Sequence, residues 1–589
     1  MNILLMSLNS KYIHTNLAIQ SIHAYYKQYS KSQQTIHMQE FTINHDIDTV
    51  LRMIVKGEYT HIFASAYIWN IEIMDILFTN LKQLRPQIKI FLGGPEVSYN
   101  PKEQLIQKSY LDGILYGEGE RIFCNLIDEM IFKGDSNALM NVPGVAYKQG
   151  LEIYVNAPMP LIESLDEIPF SYVDLHDFSN RILYYESSRG CPFNCSYCLS
   201  STVEGLRHLS LERVKSDLIF FIKSEVPQVK FVDRTFNAKK EHAIEIIKFL
   251  IEQDNGITNF HFEITASLLD LEYMEVLKNA RPGLFQFEIG VQTTHQPTMH
   301  AIHRPISFDK IKWTCQTLKG FENIHLHLDL IAGLPYEPFD TFLKSFDDVY
   351  GLEPDELQLG FLKVLKGTEM AEMVQKHRYI VGVQAPYEVF ENQWISMSQM
   401  SILKDVEVLL GYYYNSGKFV MSLKYFHKKT EMAASGFFLE MAEYFNQHDY
   451  LASPIGTYRL YELIYEFYVH KFGEDHLFKE LLKIDYFYAK LKGQKPLFDE
   501  REIKSFNQMR LEWLKNPEFT HQYFANNPET QPKERLKTLE FTTLKYDILR
   551  LIQSDYQDVC LKDGVIMFDY SNAFKVRMIF IDDMYMTKS

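Results

Sequence analysis

The sequence is poor in cysteine and has no excess of positive charge. Six cysteines in 589 residues do not make the dense disulfide framework of a small secreted protein, and they are typical of a reducing cytoplasm. Lysine and arginine total 60 against 76 aspartate and glutamate residues, a formal net charge of −16. This balance argues against a general affinity for nucleic-acid phosphate, so nucleic acid is not an expected partner.

The chain also lacks targeting, membrane-spanning and repetitive segments. Its start, MNILLMSLNSKYIH, has no basic beginning, no long apolar region and no small-residue cleavage site, so no signal peptide is expected. No apolar run has the length of a membrane span. A hydrophobic fraction of 46% is that of a folded chain, and the length predicts several domains. We therefore expect a cytoplasmic protein without a membrane partner.

Residues 1–140 alternate short apolar runs with amphipathic stretches, which predicts a parallel α/β sheet. The predicted strands are MNILLMSL, HIFASAYI, IKIFLGG and GILYG. Ligand loops of such sheets lie at the carboxyl ends of the strands. The glycines of FLGGPE and YGEGE are therefore candidate ligand contacts, with tight turns as the alternative.

Two further domains are predicted beyond this sheet. Residues 141–180 carry several prolines and indicate a hairpin and a linker. Between residues 181 and 370, six apolar strands alternate with helical patterns, which predicts a partial (βα)6 barrel of the TIM type with its chemistry at the carboxyl ends of the strands. Residues 371–589 predict a mostly helical domain of unknown role with a short strand-like tail.

Three cysteines, Cys191, Cys195 and Cys198, lie in YESSRGCPFNCSYCLSS, directly after the first barrel strand. A zinc site prefers paired Cys-x2-Cys ligands, and the sequence has no second pair. A redox pair of Cys195 and Cys198 would leave Cys191 without a role. Three thiolates on an iron–sulfur cube leave one iron open to a small ligand. At the level of these residues, a zinc clip, a redox switch, buried core cysteines and a metal cluster all stay open.

The spacing Cys-x3-Cys-x2-Cys, with Tyr197 just before the last cysteine, resembles the radical S-adenosylmethionine (SAM) superfamily. The resemblance implies a [4Fe-4S] cluster on the three cysteines, SAM chelated by the open iron, and formation of a 5′-deoxyadenosyl radical. It also implies an oxygen-sensitive enzyme and an electron donor such as flavodoxin or ferredoxin. Tyr197 is then expected beside the adenine.

Later motifs extend the resemblance toward residue 370. FVDRTFN places Asp233 where superfamily members contact the methionine amino group, and Glu263 on the third strand is expected near the ribose or the methionine. Both carboxylates could instead be ordinary strand-end residues. FEIGVQTTHQPTMHAIHR resembles the fourth-strand segment of the subgroup that contains oxygen-independent coproporphyrinogen oxidase, and this match assigns Gln292 and Arg304 to the methionine end of SAM.

Two further segments resemble segments of the superfamily, and each departs from the usual pattern at one position. LDLIAGLPYEPF resembles the fifth-strand segment that lies against the adenine, with Gly333 and Pro335 at the matching positions and Tyr336 in place of the usual glycine. LKVLKGTEM resembles the sixth-strand Pro-Gly-Thr segment, with Lys366 in the proline position.

The N-terminal sequence resembles the cobalamin (vitamin B12)-binding, Rossmann-like domain that precedes the barrel in one large class of radical SAM enzymes. The matching segments are ILLMSLNSKYIHTNLAI, FASAYIWN, FLGGPEVS and YGEGER. The resemblance implies that Ser65, Gly93, Gly94, Gly117 and Glu118 contact cobalamin. A sheet that has lost the cofactor is the alternative.

One cobalamin feature is missing from the first loop. Many cobalamin proteins supply the lower cobalt ligand through Asp-x-His-x-x-Gly, and this chain has YIHTNL there. His14 thus lacks the acidic partner that would orient its ring, and a loop or packing role is preferred for it.

The domain order predicts a cobalamin-dependent radical SAM enzyme that acts on a small molecule or a peptide. Methyl transfer to an unactivated carbon or phosphorus centre is the expected reaction, and ring formation or rearrangement is also known in the class. The alternatives are a cobalamin-independent oxidase or cyclase of porphyrin type and a non-catalytic protein that senses iron–sulfur or cobalamin status. A transfer-RNA methylthiotransferase fits less well, because the sequence has no second cysteine trio. The helical domain resembles an extension found on some members of the class.

Overall fold

The structure of the chain is a computed structural model that describes residues 1–175, 178, 180–202, 205–489, 504–524, 531–571 and 576–581. The chain divides into two compact units. The first is Met1–Pro354 with Gln358–Met400, and the second is Asp355–Leu357 with Ser401–Ser589. The predicted N-terminal domain and the predicted barrel both belong to the first unit, and the domain boundaries drawn from the sequence stay predictions.

The strands of the N-terminal sheet are β1 (Ile3–Asn9), β2 (Ile36–Thr42), β3 (His61–Ser65), β4 (Lys89–Gly93), β5 (Gly113–Leu115), β6 (Val145–Gln149) and β7 (Glu152–Val155). Their order is β2-β1-β3-β4-β5-β6-β7. β1 to β5 pair in parallel, and β6 and β7 add an antiparallel hairpin. The four predicted strands are all present. β2 was missed because its middle is only partly buried, which interrupts the apolar run.

Helices cover both faces of this sheet. They are α1 (Leu17–Tyr29), α2 (Ile47–Lys56), α3 (Ile71–Leu84), α4 (Pro95–Ser98), α5 (Pro101–Gln107), α6 (Gly119–Lys133) and α7 (Asp135–Asn141). Leu4 and Ile62 belong to one buried apolar cluster, while their neighbours Ile3 and Phe63 belong to another. Successive strand residues point to opposite faces, so strands buried on both faces produce two cores.

The strands that follow are β8 (Leu183–Tyr185), β9 (Ser188–Gly190), β10 (Leu206–His208), β11 (Gln228–Phe231), β12 (Asn259–Ile264), β13 (Phe285–Gln292), β14 (Ile324–Ala332) and β15 (Glu356–Phe361). Six of them form the barrel sheet in the order β15-β14-β13-β12-β11-β8, so β8 and β15 are its edge strands. β9 and β10 form a separate antiparallel ribbon that the sequence did not predict.

The helices of the barrel alternate with its strands. They are α8 (Leu211–Lys223), α9 (Lys240–Glu252), α10 (Leu271–Leu277), α11 (Gln296–Ala301), α12 (Phe308–Gly320) and α13 (Phe339–Tyr350). A short helix and a two-stranded sheet follow: α14 (Glu369–Glu372), β16 (Ile380–Val381) and β17 (Val389–Glu391). The predicted partial barrel is confirmed.

The C-terminal part is mostly helical, as predicted. Its helices are α15 (Met397–Tyr413), α16 (Val420–Thr430), α17 (Ala434–Gln447), α18 (Thr457–Phe472), α19 (His476–Tyr488), α20 (Lys504–Lys515), α21 (Pro517–Tyr523), α22 (Pro532–Arg535) and α23 (Ile548–Gln553). Its strands are β18 (Leu539–Tyr546), β19 (Leu561–Asp569) and β20 (Arg577–Phe580), which form one antiparallel sheet. Within the described ranges, no helix combines the length and the apolar character that crossing a bilayer requires.

Candidate functional site

The three clustered cysteines begin directly after the ribbon strand β9. Its last residue, Gly190, has a φ of +95°, and a Cβ added there would lie 2.0 Å from the carbonyl oxygen of Gly205. No other residue type fits this position without moving the backbone. The ribbon therefore determines where the loop that starts at Cys191 leaves the sheet.

A cavity of about 160 Å³ opens beside this loop. Seven residues predicted from the sequence line it together: Cys191, Cys195, Tyr197, Cys198, Glu263, Gln292 and Arg304. They come from the cysteine loop, from the ends of β12 and β13, and from the segment after α11. The structure therefore brings together residues more than 100 positions apart at the carboxyl ends of the barrel strands.

Each of the three sulfurs has a polar neighbour. Arg304 Nη1 lies 3.7 Å from Cys195 Sγ, Thr235 Oγ1 lies 3.5 Å from Cys191 Sγ, and the Ser200 amide lies 3.5 Å from Cys198 Sγ. Burial raises the pKa of the Cys195 thiol, and the Arg304 guanidinium opposes that rise. Hydrogen bonds and positive charge near sulfur favour the thiolate form that binds metal.

The cysteines are not arranged around a single point. Across the described residues, no three His, Cys, Asp or Glu side chains converge closely enough to hold one metal ion. A cube carries its cysteines on three different irons, so its ligands need only face a common space. The three thiols that line one cavity meet that requirement.

Gln292 and Arg304 carry buried polar atoms that have no hydrogen-bond partner. These atoms are Gln292 Oε1 and Arg304 Nε, and both side chains line the cavity. A Cβ on Gly290 would lie 2.1 Å from Gln292 Nε2, so glycine makes room for this side chain, while Arg304 Nη2 donates to the Gly290 carbonyl oxygen at 2.8 Å. Unsatisfied polar atoms in a cavity point to a polar ligand. A ligand with an amino and a carboxylate group fits them.

Carboxylates form the opposite polar part of the cavity. Burial raises the pKa of Glu263 to about 7, and the nearby charge of Glu288 adds to the rise. Burial also acts on Glu288, but a hydrogen bond from His261 and the charge of Lys230 outweigh it and lower the pKa of Glu288 to about 2. Burial raises the pKa of Asp329. Burial thus brings the pKa of Glu263 close to neutral pH.

Asp233 holds the backbone before the cysteine loop. Its side chain is fully buried and accepts hydrogen bonds from the amides of Ser187 at 2.7 Å and Ser188 at 2.8 Å, and from the Ser187 hydroxyl. It is not among the described residues that line the cavity, whereas Arg234 and Thr235 are. The contact with SAM expected of Asp233 stays a prediction.

Arg234, Thr235, Glu288 and Asp329 line the cavity and were missed. A signal was present for the first two, because they directly follow Asp233 in FVDRTFN. Glu288 and Asp329 lie inside β13 and β14, where inward-facing side chains of a barrel alternate with outward-facing ones. The alternation along these strands can be recognised in the sequence. The sequence does not say which of the two alternating sets of side chains faces inward.

Gly333 and Pro335 lie after β14 and are not among the described lining residues. A Cβ on Gly333, whose φ is +90°, would lie 3.3 Å from Met400 Cε. The carbonyl oxygen of Pro335 accepts a hydrogen bond from Thr298 Oγ1 at 2.9 Å. Tyr336, which replaces the usual glycine, packs against Trp394 with ring centroids 4.7 Å apart. The adenine contact expected of Gly333 and Pro335 stays a prediction.

The predicted cobalamin residues lie at strand ends of the N-terminal sheet. Ser65 and Gly93 are neighbours across β3 and β4. Gly94 has a φ of +105°, and a Cβ there would lie 2.5 Å from the Ala66 carbonyl oxygen, while Gly117 has a φ of +104°. These glycines form two adjacent loops that side chains would fill, which fits the close approach of a large ligand.

Glu118 contacts the barrel and the linker. Its Oε1 accepts from Arg207 at 2.7 Å and from Arg189 at 3.2 Å, and its Oε2 accepts from the Ile162 amide at 2.7 Å. Both carboxylate oxygens therefore have hydrogen-bond partners within the protein. The contact with cobalamin expected of Glu118 stays a prediction.

His14 contacts the barrel. Its Nδ1 lies 2.7 Å from the hydroxyl of Tyr184 on β8, and its backbone bridges to Ile182. Burial and the charge of Lys11 lower the pKa of His14. The packing role preferred for His14 agrees with these contacts.

Three family models match the chain in the predicted order. Residues 3–127 match the B12 binding domain, residues 185–349 match the radical SAM superfamily, and residues 375–568 match a protein family of unknown function, DUF4080. A radical SAM domain implies a [4Fe-4S] cluster and SAM, which the cysteine cavity fits. A B12 binding domain implies cobalamin, which the glycine-built strand ends fit.

Relatives and solved structures agree with these domains. The cobalamin-dependent radical SAM methyltransferase TokK of Streptomyces tokunonensis is 26% identical over 47% of this chain and 43% of its own length. The anaerobic magnesium-protoporphyrin IX monomethyl ester cyclase of Rubrivivax gelatinosus is 25% identical over 46% of this chain and 51% of its own length. This chain thus spans about half the length of these relatives.

Among solved structures, the cobalamin-dependent SAM radical enzyme OxsB with aqua-cobalamin bound has a TM-score of 0.58 at 15% identity, over 82% of this chain and 80% of that one. This likeness concerns the fold. The expected domain types and cofactors are confirmed by the family models. The chain thus carries a radical SAM domain, with a B12 binding domain before it and a DUF4080 domain after it.

Proposed function

We propose that this protein is a cobalamin-dependent radical SAM methyltransferase that acts on an unactivated carbon. One observation carries the proposal. Three cysteine thiols and the unsatisfied polar atoms of Gln292 and Arg304 line one cavity at the strand ends of a barrel that adjoins a B12-type domain. Two relatives that each match about half of this chain are named a methyltransferase and a cyclase.

Each group in the cavity has a distinct task in this proposal. Cys191, Cys195 and Cys198 hold the cluster, and Arg304 and Gln292 bind the carboxylate and amino end of SAM. When the cofactors are bound, the cluster supplies the electron that generates a 5′-deoxyadenosyl radical from SAM, and cobalamin supplies a methyl carrier. Tyr197 and Phe193 shield the cavity from water.

The remaining requirements are an electron and a substrate. None of the described residues that line the cavity supplies low-potential electrons, so we propose a flavodoxin or ferredoxin as donor. We also propose a reducing, cytoplasmic location. We propose a small molecule or a peptide as substrate.

The test uses the full chain reconstituted anaerobically with iron, sulfide and cobalamin. We expect 5′-deoxyadenosine on reduction with SAM, and transfer of a deuterated methyl group from SAM to a metabolite of an anaerobic extract, followed by mass spectrometry. Cys195→Ala should abolish both. Cys315→Ala is the matched control, because Cys315 is an equally buried free thiol inside α12. No labelled metabolite and no 5′-deoxyadenosine from the unaltered protein would contradict the proposal.

The cyclase relative supports a second candidate, ring formation on a porphyrin-like substrate. The same extract experiment separates the two. A product that has lost hydrogen without gaining the label indicates ring formation, and a gain of the labelled methyl group indicates methyl transfer.

A further inference from the structure

Charged groups join the B12-type domain to the ribbon that carries the cysteine loop. Arg189 on β9 donates to Glu120 Oε1 at 2.5 Å and to Glu118 at 3.2 Å. Arg207 on β10 donates to Glu118 at 2.7 Å. Glu118 ends the loop after β5, and Glu120 lies in the first turn of α6, where it also accepts from Ser21 Oγ at 2.8 Å. These five side chains form the first clamp.

The two arginines of the first clamp form one residue pair of the ribbon. Arg189 and Arg207 are direct partners in the antiparallel pairing of β9 with β10. Only Gly190 separates Arg189 from Cys191. The position of the first cysteine is therefore set by a pair of guanidinium groups bound to the neighbouring domain.

A second set of contacts joins the loop after β4 to the end of β15. Glu96 in α4 accepts from Lys366 Nζ at 3.1 Å and from the Tyr387 hydroxyl at 2.8 Å. Tyr99 lies 2.7 Å from Thr202 Oγ1 through its hydroxyl, and a Cβ on Gly367 would lie 2.3 Å from the Tyr99 ring. Glu96, Lys366 and Tyr387 form the second clamp. It accounts for Lys366 at a position where the family segment carries proline.

The two clamps hold opposite ends of the open barrel sheet. The first lies next to β8 and the second follows β15, and these are the two edge strands. The carboxylates are largely removed from water, with side-chain exposures of 6% for Glu96, 14% for Glu118 and 6% for Glu120. Buried ion pairs contribute little net stability but strongly favour one geometry, since an unpaired partner is costly.

We propose that Arg189, Arg207 and Lys366 are positioning residues that fix the cluster loop relative to the strand ends of the B12-type domain. The inference rests on the proposed function, because it takes those strand ends as the cobalamin site. The clamps then set the distance between cobalamin and the cluster. The carboxylates of the two glycine-rich loops, Glu96 in GGPE and Glu118 and Glu120 in GEGE, contact the barrel.

The first test measures that separation with the reconstituted full chain. The reduced cluster is paramagnetic, and so is cobalamin in its cobalt(II) form, so the spin relaxation of the cobalt signal reports their distance. For Arg207→Met we expect the iron and cobalamin contents to be unchanged. We expect the spin relaxation of cobalt to be at least about twofold slower, or its rates to spread over a wide range. Arg207→Lys should retain most of the enhancement. Arg281→Met is the matched control, because Arg281 pairs with Asp254 inside the barrel at 2.7 Å.

An unaltered relaxation rate in Arg207→Met would overturn the inference. If the unaltered protein retains no cobalamin, the proposed function fails. Hydrogen exchange of the ribbon amides then tests the first clamp without any cofactor. In that case we expect exchange at residues 188–190 and 206–208 to be about tenfold faster or more in Arg207→Met than in Arg281→Met. Equal exchange in the two variants would overturn the clamp itself.

The second test exchanges the charges of the second clamp. Glu96→Lys and Lys366→Glu each place like charges together, and the double variant restores an opposite pair. We expect faster exchange at residues 96–99 in each single variant and recovery in the double variant. A double variant no better than either single one would show that the pair does not act as a unit, and it would overturn this part of the inference.

Discussion

Arg304 Nη1 lies 3.7 Å from Cys195 Sγ, although the two residues are 109 positions apart in the chain. The same guanidinium donates to the Gly290 carbonyl oxygen at 2.8 Å, while its Nε has no hydrogen-bond partner. One side chain thus contacts a thiol of the proposed cluster and keeps a donor for a further ligand. This arrangement places the proposed anchor for SAM beside the sulfur of a cluster ligand.

Replacement of this guanidinium is expected to weaken SAM binding more than cluster binding. Arg304→Met removes charge-assisted hydrogen bonds, and we expect the affinity for SAM to fall about 10- to 100-fold while the iron content stays unchanged. Titration of the reduced cluster with SAM, followed by electron paramagnetic resonance, measures this. Arg304→Lys keeps the charge and should lose less. Unchanged SAM affinity in Arg304→Met would remove Arg304 from the site.

Glycine at position 94 is expected to be required for the shape of the β4 loop. Gly94→Ala combines a φ of +105° with a Cβ 2.5 Å from the Ala66 carbonyl oxygen, and it should destabilise the protein by about 1–3 kcal/mol. Gly134→Ala is the matched control, since its φ is +80° and nothing lies within 4 Å of the added Cβ. Chemical unfolding measures both. Equal losses in the two variants would mean that the close approach to Ala66 is unimportant.

Glu263 is expected to make the stability of the cofactor-free protein pH-dependent. Its folded-state pKa of about 7 lies above the unfolded value of 4.5, so its contribution is fully present below pH 4.5 and is lost as the pH rises through 7. Glu263→Gln removes the buried charge. Relative to the unaltered protein, this variant should gain about 1–3 kcal/mol between pH 5 and pH 8.

Urea unfolding of the cofactor-free protein at the two pH values checks this gain. Glu252→Gln, a change at an exposed position on α9, serves as the control and should show no such difference. A constant offset between Glu263→Gln and the unaltered protein across this range would contradict the assignment.

Asp485 is expected to hold the helices of the C-terminal unit together. Its carboxylate accepts from the Ser422 amide at 2.9 Å, the Ser422 hydroxyl at 2.6 Å and the Met421 amide at 3.0 Å. Asp485→Ala leaves three donors at the start of α16 without an acceptor, which should cost about 2–4 kcal/mol. Hydrogen exchange of residues 420–430 should accelerate, while the cysteine cluster still binds iron. Protection equal to that of the unaltered protein would show that other contacts fix this helix.

The site was predictable where its residues follow strand ends in sequence, and not where partners are distant. Cys191, Gln292 and Arg304 belong to segments that carry a local pattern, and the structure places them around one cavity. The barrel contacts of Glu118 were not predictable, because a strand-end carboxylate next to glycines resembles a ligand contact. Its partner Arg207 is 89 positions away on a ribbon strand that has no distinctive apolar pattern.

The same reason explains why the backbone contacts of Asp233 were not predicted. Its place after β11 was correctly predicted, but the direction of its side chain depends on the amides of Ser187 and Ser188 more than 40 positions earlier. Sequence patterns give the position of a residue along a strand, whereas the choice between a backbone contact and a cofactor contact depends on tertiary packing.

The central claim, that this chain uses cobalamin together with a radical SAM cluster, is tested most directly by one measurement. The protein is reconstituted anaerobically with cluster and cobalamin, passed over a gel-filtration column, and analysed for corrinoid and iron in the protein fraction. We predict a stoichiometric amount of cobalamin with a complete cluster. A protein fraction that carries the cluster but no cobalamin would contradict the account.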